Sequence, residues 1–280
     1  MENKPHSNIN TLAAELWPFF LLLKRRIEEA PARKEFTEKS PGQMVGTLDK
    51  EFEKTIARFL DEQLNRRILR EDIPVVGEES FKGVFPKGKF HLVDPWDGTH
   101  NGIFESPSFG IMHAIIENGV PVLGDIFLPF NCQGKPELYI AIKGGGAWRC
   151  FGSRLERITV SKDELSKSTL FLEGPLHSSN VIELAVALKP LVVRIRNGMS
   201  CAWSLTRVAA SGSTGAGALA ITSKCQAWDN LPGCLLVEEA GGKVTDLDGN
   251  PITLGNCSDV VCSNGIFHGE ILEAIRKSKL

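Results

Sequence analysis

The segment Asp94-Pro95-Trp96-Asp97-Gly98-Thr99 sets two carboxylates close in the chain, with Pro95 fixing the direction between them. Held on one side of a turn, Asp94 and Asp97 would repel unless a proton or a cation compensated them. Oxygen donors of this kind suit Mg²⁺, Mn²⁺ or Ca²⁺ rather than zinc. Gly98-Thr99 follows at once, and a helix beginning there would offer backbone N–H groups to an anion beside the cation. Cations next to an N–H cradle meet the needs of phosphoryl chemistry. Further carboxylates stand in Thr47-Leu48-Asp49, Gly77-Glu78-Glu79-Ser80 and Trp228-Asp229. Each piece alone also has an ordinary structural reading: Asp49 as a helix cap, Glu78-Glu79 as a solvated loop, Asp94-Pro95 as a turn.

The surrounding pattern says what must position these groups. Thr11–Ala30 reads as a helix with Thr11 as its cap, followed by a polar loop up to Met44. From Thr47, the spacing of Leu48, Phe52, Ile56, Phe59 and Leu60 is helical. Ile73–Val76 and Phe90–Val93 read as strands ending at Gly77 and Asp94, which places both acidic segments at strand ends. Asn118-Gly119 between the apolar runs Phe109–Ile116 and Val120–Phe127 predicts a hairpin. Leu138–Ile142 continues as a strand into the glycines 144–146. The second half alternates: strand Thr169–Leu172, helix Val181–Leu188, strand Leu191–Ile195, helix Leu205–Ala210 and strand Leu219–Thr222. Helix Leu231–Ala240, strands Lys243–Thr245 and Val260–Ser263, and helix Ile266–Lys277 complete the chain. The first half is thus α+β with antiparallel hairpins and the second α/β, dividing near Cys150–Arg154 into units 1–152 and 153–280.

Composition removes several classes. Lys+Arg number 32 against Asp+Glu 34, a net charge of −2 over 280 residues, which argues against nucleic-acid binding through bulk charge. The apolar run Leu16–Leu23 contains Pro18 and is too short to span a bilayer, so no membrane partner is expected. Seven cysteines without a CxxC pair point to reduced, mostly buried thiols and a cytoplasmic protein.

Taken together and in order, four segments resemble the inositol monophosphatase superfamily. They are Gly77-Glu78-Glu79-Ser80, Asp94-Pro95-Trp96-Asp97-Gly98-Thr99-His100-Asn101, Trp228-Asp229 and Glu239-Ala240-Gly241-Gly242. The resemblance runs from about Thr11 to Gly265. It implies a layered αβαβα sandwich, a Mg²⁺-dependent and lithium-sensitive phosphatase, and a homodimer. It implies that Glu78, Asp94, Asp97, Asp229 and the carbonyl of Trp96 ligate two or three Mg²⁺ ions, for which Mn²⁺ can substitute. It also implies that the N–H groups of Gly98 and Thr99 cradle phosphate. Thr99 would orient and help deprotonate the attacking water, with Asp49 behind it and Glu78 also serving catalysis. Arg196, Ser200, Ser204, Arg207 and Thr222 are candidate substrate contacts, and His100 lies beside the phosphate element.

Departures from the family pattern bear on substrate. Gly102 replaces an aromatic residue, and Met199-Ser200-Cys201-Ala202 replaces a Gly-Ser/Thr-Ala-Ala pattern. Ser213–Ala216 reads as an insertion, and Thr222 stands where inositol-phosphate enzymes carry a glutamate that holds substrate hydroxyls. The expected activity is therefore hydrolysis of a small polyhydroxylated phosphate: an inositol, cyclitol or sugar phosphate. The alternatives are a nucleotide 3′-phosphatase, a sugar bisphosphatase, or an inactive metal-binding interaction protein. The intact acidic set argues against the last.

Overall fold

The computed structural model describes residues 5–29, 36–40, 43–174 and 179–278. The chain opens with helix α1 (Pro5–Glu29), a hairpin of β1 (Phe36–Ser40) and β2 (Gln43–Gly46), and helix α2 (Thr47–Phe59). The last helix continues through wider turns over Leu60–Leu69. Strands β3 (Val75–Gly77) and β4 (Lys89–Asp97) and the short helix α3 (Thr99–Ile103) follow. The meander β5 (Gly110–Glu117), β6 (Val120–Leu128), β7 (Glu137–Ile142), β8 (Gly146–Phe151) and β9 (Arg154–Arg157) comes next. After β10 (Thr169–Glu173) come α4 (Ser179–Leu188), β11 (Arg194–Arg196), α5 (Cys201–Ala209) and α6 (Ser211–Thr214). β12 (Ala218–Thr222), α7 (Ala227–Glu239), β13 (Lys243–Thr245), β14 (Val260–Ser263) and α8 (His268–Lys277) end the fold.

The strands build two large sheets. Strands β3 to β9 lie side by side in chain order in a seven-stranded sheet. Only its β3–β4 pair is parallel. The second sheet has the order β11-β10-β12-β14-β13, with β10 parallel to β11 and β12 and the other pairs antiparallel. The first sheet therefore runs to Arg157 and the second starts at Thr169.

Side-chain alternation stacks these sheets between helices. On β5, Ile111 and Ile115 face a core shared with Leu16, Phe20 and Leu23 of α1 and with Phe52 and Ile56 of α2. Met112, Ala114 and Ile116 face the opposite way, against Ala202 and Leu205 of α5 and Leu231 and Leu235 of α7. The same central core includes Ala220 and Val260 of the second sheet. Beyond that sheet, Leu184 and Leu188 of α4 pack with Ile271 and Ile275 of α8. The result is the layered αβαβα sandwich, with α5 and α7 between the sheets.

Several boundaries differ from the sequence reading. α1 begins at Pro5, a residue suited to a helix start, so Thr11 lies inside it, and Ala30 lies outside the described residues. Gly46, not Thr47, precedes α2 as its cap. The polar stretch expected as a loop contains the β1–β2 hairpin, whose residues show no apolar alternation. Helices α5 and α7 each begin four positions before the first residue of the expected span, because their opening turns show no helical spacing of apolar residues. The expected Asn118-Gly119 turn is present, with φ of 52° and 82° at those residues, as a tight two-residue hairpin requires.

Candidate active site

The carboxylates lie where β3 and β4 end and where α5 and α7 begin. Glu78 directly follows β3, and its N–H donates to Val93 O of β4 (3.0 Å). The β4–β5 register shifts between Asp94 and Asp97, a bulge that turns the strand end toward the central helices. Trp96 N–H donates to Asp94 Oδ1 (2.8 Å), and the Trp96 ring stacks on Phe109 at 4.5 Å, so the Asp-Pro-Trp-Asp turn is clamped from both sides. At the head of α7, Asp229 Oδ2 accepts Gln226 N–H (2.6 Å). An aromatic cluster ties these segments together: Phe81, just past Glu78, packs edge-on against Trp228 (5.4 Å) and stacks on Phe85 (4.5 Å).

Carboxylate oxygens of Glu78, Asp94 and Asp229 all lie within 4.8 Å of one another. Burial drives the Asp94 carboxyl well above its ordinary range, and Glu78, Asp97 and Asp229 push it further. Asp229 is raised in the same way, by burial and then by Glu78 and Asp97. A donor set made only of oxygen, carrying uncompensated charge, fits a hard divalent cation. Asp97 is adjacent but differently engaged. Its carboxylate accepts Ser200 Oγ–H (2.5 Å), Ala202 N–H (2.8 Å) and Cys201 N–H (3.2 Å), all at the N-terminus of α5. A carboxylate has about four acceptor sites, so one stays open to a further partner. Burial raises Asp97 to about 6 against these hydrogen bonds.

Beside this cluster stands a hydroxyl–carboxylate pair. Thr99 Oγ1–H lies 3.1 Å from Trp96 O and 3.4 Å from Asp49 Oδ1. Asp49 also caps α2, its Oδ2 accepting Gly46 N–H (2.5 Å), and burial raises it to about 7. The capping and functional readings of Asp49 are therefore compatible. Thr99 starts α3 after Gly98, whose φ of 87° and crowding by Met199 O and Ser200 Cβ (3.0 Å from a built Cβ) admit no larger residue.

The profile of the inositol monophosphatase family matches residues 10–280. The chain belongs to that family. It is 30% identical over 241 residues to inositol-1-monophosphatase of Bacillus subtilis, covering 85% of both chains. It is 30% identical to a Thermotoga maritima protein named fructose-1,6-bisphosphatase/inositol-1-monophosphatase, across 80% of this chain and 84% of that one. The solved Thermotoga maritima IMPase TM1415 superposes with a TM-score of 0.74 at 26% identity, covering 92% and 93% of the two chains. The protein is accordingly a phosphatase of a metal-dependent family, built on that family's sandwich.

Other residues expected to meet substrate are placed unequally. Ser200 and Ser204 are buried, and their hydroxyls donate to Asp97 and Glu173. Thr222 is buried too, and its hydroxyl has no hydrogen-bond partner. Arg207 is committed to Glu137 (2.9 Å) and Tyr139 (2.6 Å). Arg196 alone among these candidates is exposed, its guanidinium 5.5 Å from the Trp203 ring centre. The insertion Ser213–Ala216 forms the end of α6 and the turn after it.

The sequence pattern sets Glu53 on the outer side of α2 and does not single out Glu173, yet both carboxylates are buried near the site. Glu53 of α2 is buried and accepts Glu79 N–H (2.6 Å), and it fills the space a side chain at position 77 would need. Its signal was available: it lies one helical turn from Asp49 on the same face. Glu173 ends β10, and burial raises it to about 7. Its only signal was a charge closing the apolar run Thr169–Leu172.

Proposed function

We propose that this chain is a Mg²⁺-dependent phosphomonoesterase that hydrolyses a small polyhydroxylated phosphate, an inositol, cyclitol or sugar phosphate, by direct attack of water. The observation that carries this reading is the convergence of Glu78, Asp94 and Asp229, from both halves of the chain, within 4.8 Å.

Glu78, Asp94, Asp97, Asp229 and the Trp96 carbonyl would hold two or three ions, Mg²⁺ or in its place Mn²⁺. Bound there, divalent ions acidify water and neutralise charge growing on the phosphoryl oxygens. The chain's own groups supply the rest. N–H groups at Gly98 and Thr99, in the first turn of α3, face the phosphate oxygens. Thr99 Oγ1 orients the attacking water and passes its proton toward Asp49, whose raised carboxyl pKa of about 7 suits a base working near neutrality. The new P–O bond forms as the ester P–O bond breaks, and the departing alkoxide takes a proton from solvent. No side chain becomes phosphorylated.

Thr222 supports a substrate other than myo-inositol phosphate. Where a glutamate would hold substrate hydroxyls, this chain buries a short hydroxyl with no free carboxylate. The double name of the Thermotoga maritima relative keeps a sugar bisphosphate as a second reading. We place the enzyme in the cytoplasm as a homodimer. Among the described residues no helix is long and apolar enough to cross a membrane. The test is phosphate release from a panel of phosphorylated inositols, sugars and nucleotides with Mg²⁺. Turnover lost in Asp97→Asn and inhibited by LiCl supports the reading. No release across the panel, or a trapped phosphoenzyme, overturns it.

A further inference from the structure

Glu173 has no evident reason to be charged where it sits. It is 1% exposed at the end of β10, and no Lys or Arg among the described residues forms an ion pair with it. Burying a carboxylate is costly unless donors compensate it. Three do: Gly198 N–H (2.9 Å) and Ser204 Oγ–H (2.5 Å) at Oε1, and Ser200 N–H (3.3 Å) at Oε2. The loop is wrapped tightly on this carboxylate, since a Cβ built on Gly198 would lie 3.0 Å from Oε1.

Ser200 joins this arrangement to the active site. Its N–H goes to Glu173, and its hydroxyl goes to Asp97. The hydroxyl also accepts Trp203 N–H (3.2 Å), which closes the first turn of α5. That turn supplies the other two donors to Asp97, from Cys201 and Ala202. Every donor that orients Asp97 thus belongs to a segment, residues 198–204, whose two ends are fastened to Glu173.

We propose that Glu173 is a positioning residue for the divalent-cation site, acting through Ser200 and the head of α5 to aim Asp97. The inference deepens the reading given under Proposed function and stands on it. A neutral glutamine of the same shape could still tie β10 to α5. It would, however, present an amide N–H₂ to one of the backbone N–H groups and release Ser200.

The experiment is calorimetric titration of metal-free protein with MgCl₂, with thermal melting alongside. Groups that orient metal ligands typically contribute ten- to hundredfold in affinity. Glu173→Gln is expected to weaken Mg²⁺ binding by about tenfold or more while melting no lower than wild type without metal. Ser200→Ala is expected to weaken binding similarly, and the double variant to bind no more weakly than Ser200→Ala alone. Ser204→Ala, which removes one donor and leaves the Glu173 carboxyl group in place, is expected to lower affinity in the same direction and covers the case in which Glu173→Gln does not fold. Affinity within twofold of wild type for both Glu173→Gln and Ser204→Ala overturns the proposal, as do losses that multiply in the double variant. Wild type that binds no Mg²⁺ overturns the functional reading and this proposal together, whereas normal wild-type binding with unaffected variants overturns this proposal alone.

Discussion

Burying Asp94 and Asp229 beside Glu78 is unfavourable without a cation, because each ionised group loses hydration and repels the others. Removing one charge should therefore stabilise the metal-free protein. Asp94→Asn is expected to melt a few degrees higher than wild type in chelator-treated buffer, at roughly 2–4 °C per kcal/mol, and to lose the gain in Tm that Mg²⁺ gives wild type. The pH dependence has the matching sign. Asp49 and Glu173 titrate near 7 and Asp97 near 6 in the folded state, all raised first by burial. Unfolded, such groups titrate near ~4. The folded form therefore binds more protons over this range, and the cost of ionising these groups is absent below about pH 4 and complete above about pH 7. Tm of metal-free protein should fall between pH 5 and pH 8, and fall less in Asp49→Asn. At this scale the acidic motifs were legible because Asp94, Asp97, Asp229 and Glu78 stand in short, dense segments. Glu173 was not, because its donors lie 25 to 31 residues further on and only the fold brings them to it.

The elements divide the labour between stability and chemistry. α1 and α2 cover the outer face of the seven-stranded sheet, while the heads of α5 and α7 carry Asp97's donors and Asp229. Phe20 of α1 is 2% exposed and stacks on Phe127 of β6 at 4.9 Å. Phe20→Ala should cost about 3–5 kcal/mol in denaturant unfolding and leave the Mg²⁺ dependence of activity unchanged. A shift in that dependence would show that the outer layer sets the site. The central apolar strands and the Asn118-Gly119 hairpin were readable from periodicity and turn chemistry. The first turns of α5 and α7 were not. Cys-Ala-Trp-Ser and Ala-Trp-Asp-Asn lack helical periodicity, because these turns face the site as well as the core. β8 and β9 were missed for a related reason: Arg149, Arg154, Glu156 and Arg157 interrupt their apolar residues, and Arg149 of β8 pairs with Glu156 of β9.

For the whole molecule, the sandwich brings together groups that the chain keeps far apart. Glu78 and Asp94 come from the first sheet and Asp229 from the helix layer between the sheets. A shared cation is what that convergence requires, and titration of metal-free protein with MgCl₂ in the presence of inorganic phosphate measures it. Saturable binding by wild type, weakened at least tenfold (about 1.4 kcal/mol) in both Asp94→Asn and Asp229→Asn, is the predicted result. Absence of binding by wild type, or isotherms in both variants that overlay it, would contradict the account.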